Sequence, residues 1–448
     1  MKPGVGLLLA LPLALLSLSA AGPGRAVVLI SIDGLRPDYV LEADRHGLRI
    51  PELRRLLAQG SHASRVRGVL PTVTYPSHAT LVTGTSPARH GILYNRPPDP
   101  LGRNADGWYW YAEDLRADTL WDATARAGLG TASVDWPVTV GARIDFNIPQ
   151  FWRTQSPDSP EEGKLHRQLG TPGLLREIED QTGPYPAGYA YDLDADRRRA
   201  AFSVALLGKH RPRLHLAYFS GLDEEQHLVG PGAASVFATL ESIDALVGQL
   251  RRAAEAVHER VVIAVVSDHG FVRSDRVLCL NEALRQAGLL LLDGRGRVTD
   301  WRAWAWGSGG TAAVVLRDPG DAVLRARVRE ILDGLAAKPD AGIARILSGE
   351  EAKAAGGFPD AAFVVGLRPG TRISGEMLGR LTGPGLPTGD HGYLPEEAEM
   401  DAAFLLAGPG VPVGSDLGLV DMRDVAPTLA ALLGVRLRDA EGRDVLAK

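Results

Sequence analysis

Three short apolar runs of this chain end in acidic residues, and one of them adds an imidazole at once. The first reads Ile30-Ser31-Ile32-Asp33-Gly34 and the second Tyr218-Phe219-Ser220-Gly221-Leu222-Asp223, with His227 four residues further on. The third reads Val266-Ser267-Asp268-His269-Gly270, and a later stretch supplies Gly389-Asp390-His391-Gly392-Tyr393. Mixed carboxylate and imidazole donors suit Zn²⁺ or a similar borderline cation. Each residue alone has a plainer account: an Asp after a strand is usually a helix cap, and a lone Asp-His pair is more often hydrogen-bonded than metallated. Their joint occurrence at several run ends, with His227 at i+4 from Asp223, favours a metal centre.

A second segment, Thr72-Val73-Thr74-Tyr75-Pro76-Ser77-His78-Ala79-Thr80-Leu81-Val82-Thr83-Gly84, offers a nucleophile. Pro76 fits the first turn of a helix. Thr74 just before it would lie near the free N–H groups and positive dipole end that hold a phosphate. A threonine hydroxyl is a weak nucleophile at neutral pH and needs a metal or a base to become one. An ordinary N-cap role for Thr74 or Ser77 fits the spacing equally well.

The elements that must position these groups follow from the apolar pattern. Runs at 26–32, 214–219, 261–266, 312–316, 361–365 and 402–406 read as buried strands. Helical patterns at 51–59, 119–127, 234–258 and 323–337 lie among them. Strands alternating with helices mean an α/β fold with a mostly parallel sheet, and such sheets gather their ligands at the carboxyl ends of strands. Residues 96–118 and 150–195, interrupted by Pro and Gly, read as loops over the sheet. The stretch 271–385 reads as a small inserted lobe, so that 22–448 form a single catalytic domain. The cluster Trp108-Tyr109-Trp110-Tyr111 suits either a pocket wall or a loop packed on the core.

The bulk composition bounds the function. At 448 residues, 45% hydrophobic and 23% charged, the chain is an ordinary globular one, and 52 Gly with 30 Pro suit a loop-rich enzyme. A net charge of −5 argues against a nucleic-acid polymer as partner. Residues 1–21 have the layout of a signal peptide: Lys2, an apolar run at 5–18 and the small residues Ser19, Ala20 and Ala21. The run is shorter than the ~20 residues of a membrane span, so no span is expected after cleavage. Cys279 is the single cysteine, which excludes an intramolecular disulfide. A periplasmic or secreted protein with a large core follows.

Taken in order, Thr74-Tyr75-Pro76-x-His78, Thr83-Gly84, His90-Gly91-Ile92, Asn95, Ser267-Asp268-His269-Gly270 and His391-Gly392-Tyr393 resemble the nucleotide pyrophosphatase/phosphodiesterase family of the alkaline phosphatase superfamily. The resemblance runs from residue 27 to residue 430. It implies an alkaline-phosphatase-like fold, with helices on both faces of the central sheet, and two Zn²⁺ per chain, other divalent metals fitting the same donors. One zinc would be held by Asp33, Asp268, His269 and the Thr74 oxygen, the other by Asp223, His227 and His391. Thr74 would form a phosphothreonine intermediate, hydrolysed by water at the second metal. Asn95 and the Tyr75 N–H would bind a phosphoryl oxygen, and Tyr75 and Tyr218 would sandwich the leaving group. The substrate is then a small phosphate ester, a nucleotide among the candidates.

Two departures bear on substrate rather than mechanism. Ser77 stands where the family usually has Asn, and the loop from Asp223 to His227 lacks the family's Gly before the His. Sulfatases need Cys or Ser before Pro and an Arg after it; the cofactor-independent phosphoglycerate mutases use Ser. Thr74 and His78 disfavour both. A phosphonate hydrolase or a phosphomonoesterase on the same site remains an alternative, as does an inactive, metal-stabilised binding protein. Threonine-nucleophile monoesterases carry a Lys-x-Arg pair in mid-chain. The corresponding stretch, 134–143, has none and offers only Arg143, so a diester preference is expected.

Overall fold

A computed structural model describes residues 24–104, 107–154, 159–377 and 379–447. The expected signal peptide, residues 1–21, lies outside them. The central sheet contains β1 (Ala26–Ile32), β2 (Ser61–His62), β3 (Thr131–Val134), β4 (Phe146–Ile148), β5 (Leu214–Phe219), β6 (Val261–Val266), β7 (Phe404–Ala407) and β8 (Ser415–Asp416). Their order across the sheet is β8-β2-β7-β6-β1-β5-β3-β4. Only β7 runs antiparallel to its neighbours, β2 and β6; β1 pairs in parallel with β5 on one side and β6 on the other.

Helices α1 (Pro51–Gln59), α2 (Thr74–Thr83), α3 (Leu120–Arg126), α4 (Leu193–His210), α5 (Gly221–Val229), α6 (Ala234–Val257) and α7 (Val425–Leu433) surround the sheet. The apolar strands have two destinations because successive side chains alternate in direction. Ala26, Val28, Ile30 and Ile32 of β1 pack with Leu53 of α1, Leu207 of α4 and Leu240 of α6. Val27 and Leu29 face the opposite way, into a core with Leu81 of α2, Leu120 of α3 and Leu429 of α7. A strand buried on both faces has no polar alternation, which is why these runs were legible as short apolar blocks.

Beyond β6 the chain leaves the sheet. Strands Val272–Leu278, Thr371–Ile373 and Thr382–Asp390 form a three-stranded sheet, and Ala303–Trp306, Thr311–Leu316, Phe363–Leu367 and Ile343–Ser348 an antiparallel four-stranded one. Both pack into one further core that also holds Leu324, Val328 and Leu332 of helix Ala322–Ala336. The last strand of the three-stranded sheet ends at Asp390, so this excursion delivers His391 to its place. The stretch 150–195, expected as loop, contains two helices, Pro160–Leu169 and Leu174–Thr182. The break between them falls at Gly170, Pro172 and Gly173, the residues that made the segment read as irregular.

Candidate active site

Three adjacent parallel strands, β6, β1 and β5, carry the acidic residues to one edge of the sheet. Asp33 and Asp268 follow the last residues of β1 and β6 directly or nearly so. Gly34 turns with φ 68°, in the left-handed region, and its N–H donates to Asp268 Oδ1 at 3.1 Å. A side chain at Gly34 would strike Gln226 and Phe271, so glycine is what lets the two strand ends meet. Asp223 sits in the first turn of α5, whose start is capped from another helix. Asp196 of α4 accepts from the N–H groups of Ser220 at 3.1 Å and Gly221 at 2.8 Å. His227 follows one turn later, with its Nε2 3.5 Å from Asp223 Oδ2.

The side chains converge as two overlapping sets. Asp33, Asp268 and His269 offer donor atoms within 4.8 Å of one another, and so do Asp223, His269 and His391. His269 Nε2 is 3.4 Å from Asp33 Oδ1 and 3.3 Å from Asp268 Oδ2, and His391 Nε2 is 3.8 Å from Asp223 Oδ1. The rings of His269 and His391 stack at 3.7 Å. His269 is thus shared, whereas the sequence placed it in the first set alone, and His227 stands at the more exposed rim of the second.

This arrangement fits a bound cation on three counts. Asp33 Oδ1, Asp223 Oδ1, Asp268 Oδ2 and His269 Nε2 are buried without a hydrogen-bond partner among the described residues, a costly condition for isolated polar atoms. The Nδ1 atoms of His227, His269 and His391 lie 3.1, 3.2 and 3.2 Å from the carbonyl oxygens of Gly389, Gly270 and Thr72. A carbonyl only accepts, so each Nδ1 carries the proton and each Nε2 keeps its lone pair for a ligand. Finally, burial pushes the Asp33 carboxyl up to about 6. Burial, and then repulsion from Asp33, push Asp223 and Asp268 well above the carboxylate range. Burial holds His391 down to about 3 and His269 far below its usual value. Three crowded carboxylates with neutral imidazoles need positive charge to stay ionised.

Thr74 is the first residue of α2 rather than its cap, which is Val73, and it is 7% exposed. His78, one turn on, is locked at both nitrogens, 2.8 Å from the Thr74 carbonyl oxygen and 2.9 Å from Ser31 Oγ. That contact ties the start of α2 to β1 beside Asp33. The Tyr75 N–H donates to Asn95 Oδ1 at 2.9 Å. The two groups expected to share a phosphoryl oxygen are therefore bonded to each other, and of the Asn95 amide only Nδ2 can donate.

Tyr75 and Tyr218 are fully buried. The Tyr75 hydroxyl donates to Gln150 Oε1 at 2.6 Å, and the Tyr218 hydroxyl donates to Asp33 Oδ2. A cavity of about 810 Å³ lies elsewhere, bounded by Asn95, Arg96, Trp108 and Trp304 among others. Sequence reasoning missed Arg96 and Trp304. Their only signal was position, Arg96 following Asn95 and Trp304 standing in an alternating strand. Arg143, the cation noted in the sequence, is exposed on the stretch between β3 and β4.

Comparison with known proteins gives a consistent picture. The family model described as Type I phosphodiesterase / nucleotide pyrophosphatase matches residues 27–381. The rat ectonucleotide pyrophosphatase/phosphodiesterase family member 3 is 25% identical over 281 residues, 60% of this chain but 27% of that protein. The chain thus spans about a quarter of that curated relative's length. The structure of human ectonucleotide pyrophosphatase/phosphodiesterase 5 superposes with a TM-score of 0.62 at 19% identity, covering 93% of this chain and 97% of that one. An inactive form of the murine protein in complex with AMP gives 0.62 at 21% identity with the same coverage. The shared fold is the α/β, alkaline-phosphatase-like one. No helix among the described residues is long and apolar enough to cross a membrane.

Proposed function

This chain belongs to the type I phosphodiesterase / nucleotide pyrophosphatase family, and on that premise we propose that it is an exported phosphodiesterase or nucleotide pyrophosphatase with two zinc ions and a phosphothreonine intermediate. The observation that carries the reading is the pair of overlapping buried carboxylate-imidazole sets with unpartnered donor atoms. Asp33, Asp268, His269 and Thr74 would hold one cation and Asp223, His227 and His391 the other. Bound there, such cations supply the positive charge that favours an ionised oxygen and neutralises a phosphoryl group. Thr74 Oγ forms a bond to phosphorus as the bond to the ester's leaving oxygen breaks. Water then takes the phosphoryl group and Thr74 Oγ regains its proton. Asn95 Nδ2 donates to a non-bridging oxygen, and His78 holds the start of α2 at the strand ends. Residues 22–448 act as one catalytic domain, with 271–385 as an inserted lobe. A nucleotide substrate and an extracytoplasmic site are supported by the AMP complex and the "ecto" names of the relatives.

Diester chemistry distinguishes this from a monoesterase. The expected result is a kcat/KM for bis-nitrophenyl phosphate at least about tenfold above that for nitrophenyl phosphate, at one pH and zinc level. A monoester preference of that size would overturn the reading and direct attention to Arg96. Zinc reconstitution should give about two ions per chain by elemental analysis.

A further inference from the structure

Behind the reacting centre lies a second set of buried charges, separate from the carboxylates and imidazoles of the candidate metal centre. Arg199, in the middle of α4, is buried, and so are Asp135, Asp196 and Gln150. Its Nε lies 3.0 Å from Asp135 Oδ2. Its Nη1 donates to Asp196 Oδ1 at 3.1 Å and to Ser220 Oγ at 3.0 Å, and its Nη2 donates to the Ala190 carbonyl. Taking such a group out of water is costly, and for stability alone apolar packing often does as well. What the guanidinium supplies instead is geometry, because its donors form a rigid fork.

Two arms run from this fork to the site. One passes through Asp135, which accepts from the Tyr185 hydroxyl at 2.8 Å and from Gln150 Nε2 at 3.3 Å. Gln150 Oε1 in turn accepts from the hydroxyl of Tyr75, the neighbour of Thr74, at 2.6 Å. The other arm passes through Ser220 and through Asp196, which accepts from the N–H groups at the start of α5. The turn after β3 is held against its own preference. Asp135 and Val138 have φ of 61° and 59°, and for a β-branched residue such a value is an outlier. Conformations of this kind persist where the surroundings over-determine them. Val138 packs in one cluster with Tyr75 and Ala79 of α2, so this turn bears on the nucleophile's helix by contact as well as by hydrogen bonds.

We propose that Arg199 is a positioning residue for phosphoryl transfer. It couples the start of α2, which carries Thr74, to the start of α5, which carries Asp223 and His227, and so sets the distance between the nucleophile and the ligands of one cation. The inference rests on the phosphodiesterase reading. In-line transfer tolerates little error in that distance, and a displacement of about 1 Å can cost about 10²-fold in rate.

The test uses zinc-reconstituted enzyme and bis-nitrophenyl phosphate. Arg199→Lys keeps the charge and loses the fork. It should lower kcat about 10- to 100-fold with KM within about threefold of wild type. It should also weaken one of the two zinc ions about tenfold in competition with a chelator. Gln150→Leu cuts only the arm to Tyr75, so kcat should fall about tenfold with zinc affinity unchanged. Links of one chain do not add, and the double variant should stay within about twofold of Arg199→Lys alone. Either kcat or zinc affinity within about twofold of wild type in Arg199→Lys overturns the proposal, as do single effects that multiply in the double variant. If Arg199→Lys does not fold, Gln150→Leu and Ser220→Ala decide. About tenfold lower kcat in the first and about threefold weaker zinc in the second support the proposal, and wild-type values in either overturn it. If wild-type protein hydrolyses neither bis-nitrophenyl phosphate nor nitrophenyl phosphate, the phosphodiesterase reading fails by itself, and the zinc competition alone decides on Arg199.

Discussion

The two halves of the site are built on different principles. On one side, Asp33, Asp223, Asp268 and His269 stand at or just beyond the ends of three neighbouring parallel strands. Their positions follow from strand register, and a few residues of local sequence describe each. On the other side, Trp108, Arg96, Trp304 and Trp306 come from a long loop and from a strand of another sheet. They meet only because the chain folds back over some two hundred residues, as the contact of Trp306 with the Arg96 carbonyl shows. The rigid half has donor atoms left unpartnered and ready for charge. The assembled half has its hydrogen bonds satisfied between its own walls. The first half holds the donor atoms of the candidate metal centre and the second the aromatic walls of the cavity.

The largest way to break this division is at the nucleophile. Thr74→Ala should lower kcat by about 10⁴-fold or more while thermal unfolding and zinc content stay close to wild type, because Val73 remains the cap of α2. Activity within tenfold of wild type would show that another group forms the covalent bond. A smaller effect is expected at Tyr218, where the expected and observed surroundings differ. Tyr218→Phe keeps the ring and removes only the hydroxyl that donates to Asp33. Loss of such an outer partner should weaken zinc binding about 10- to 100-fold, read by competition with a chelator. Unchanged zinc affinity with altered diester selectivity would return Tyr218 to the leaving-group role.

How much was legible follows from the same division. The strands at 26–32, 214–219 and 261–266 coincide with β1, β5 and β6, because residues buried on both faces leave an unbroken apolar block. The short helix Leu174–Thr182 was not seen, though Leu174, Leu175 and Ile178 fall on one buried face. Gly173 before it and Gly183 after it cut the pattern to little more than two turns. The sharing of His269 between two donor sets was also illegible, since it depends on a 3.7 Å ring stack between residues more than a hundred positions apart. The packing of Trp108 on Tyr75, and of Trp152 on Trp108, was hidden for the same reason.

Trp110 gives the smallest and sharpest test, because it stands two residues from Trp108 and its environment is opposite. The sequence left the Trp108–Tyr111 cluster open between pocket wall and core packing. The structure divides it: Trp108 borders the cavity, while Trp110 is 3% exposed and packs against Phe151 at 4.7 Å and Trp152 at 5.5 Å. Removing a buried tryptophan typically costs about 3–5 kcal/mol through lost burial and the void it leaves. Trp110→Ala should therefore lower the thermal midpoint clearly. It should leave the ratio of kcat/KM for the nitrophenyl ester of thymidine 5′-phosphate over methyl nitrophenyl phosphate within about twofold, since Trp110 does not border the cavity. Trp108→Ala should do the reverse in proportion, with a smaller loss of stability and a larger change in that ratio. If Trp110→Ala shifts the ratio as strongly as Trp108→Ala, the aromatic stack and the cavity wall behave as one unit, and selectivity is set by how the whole cluster packs against Tyr75.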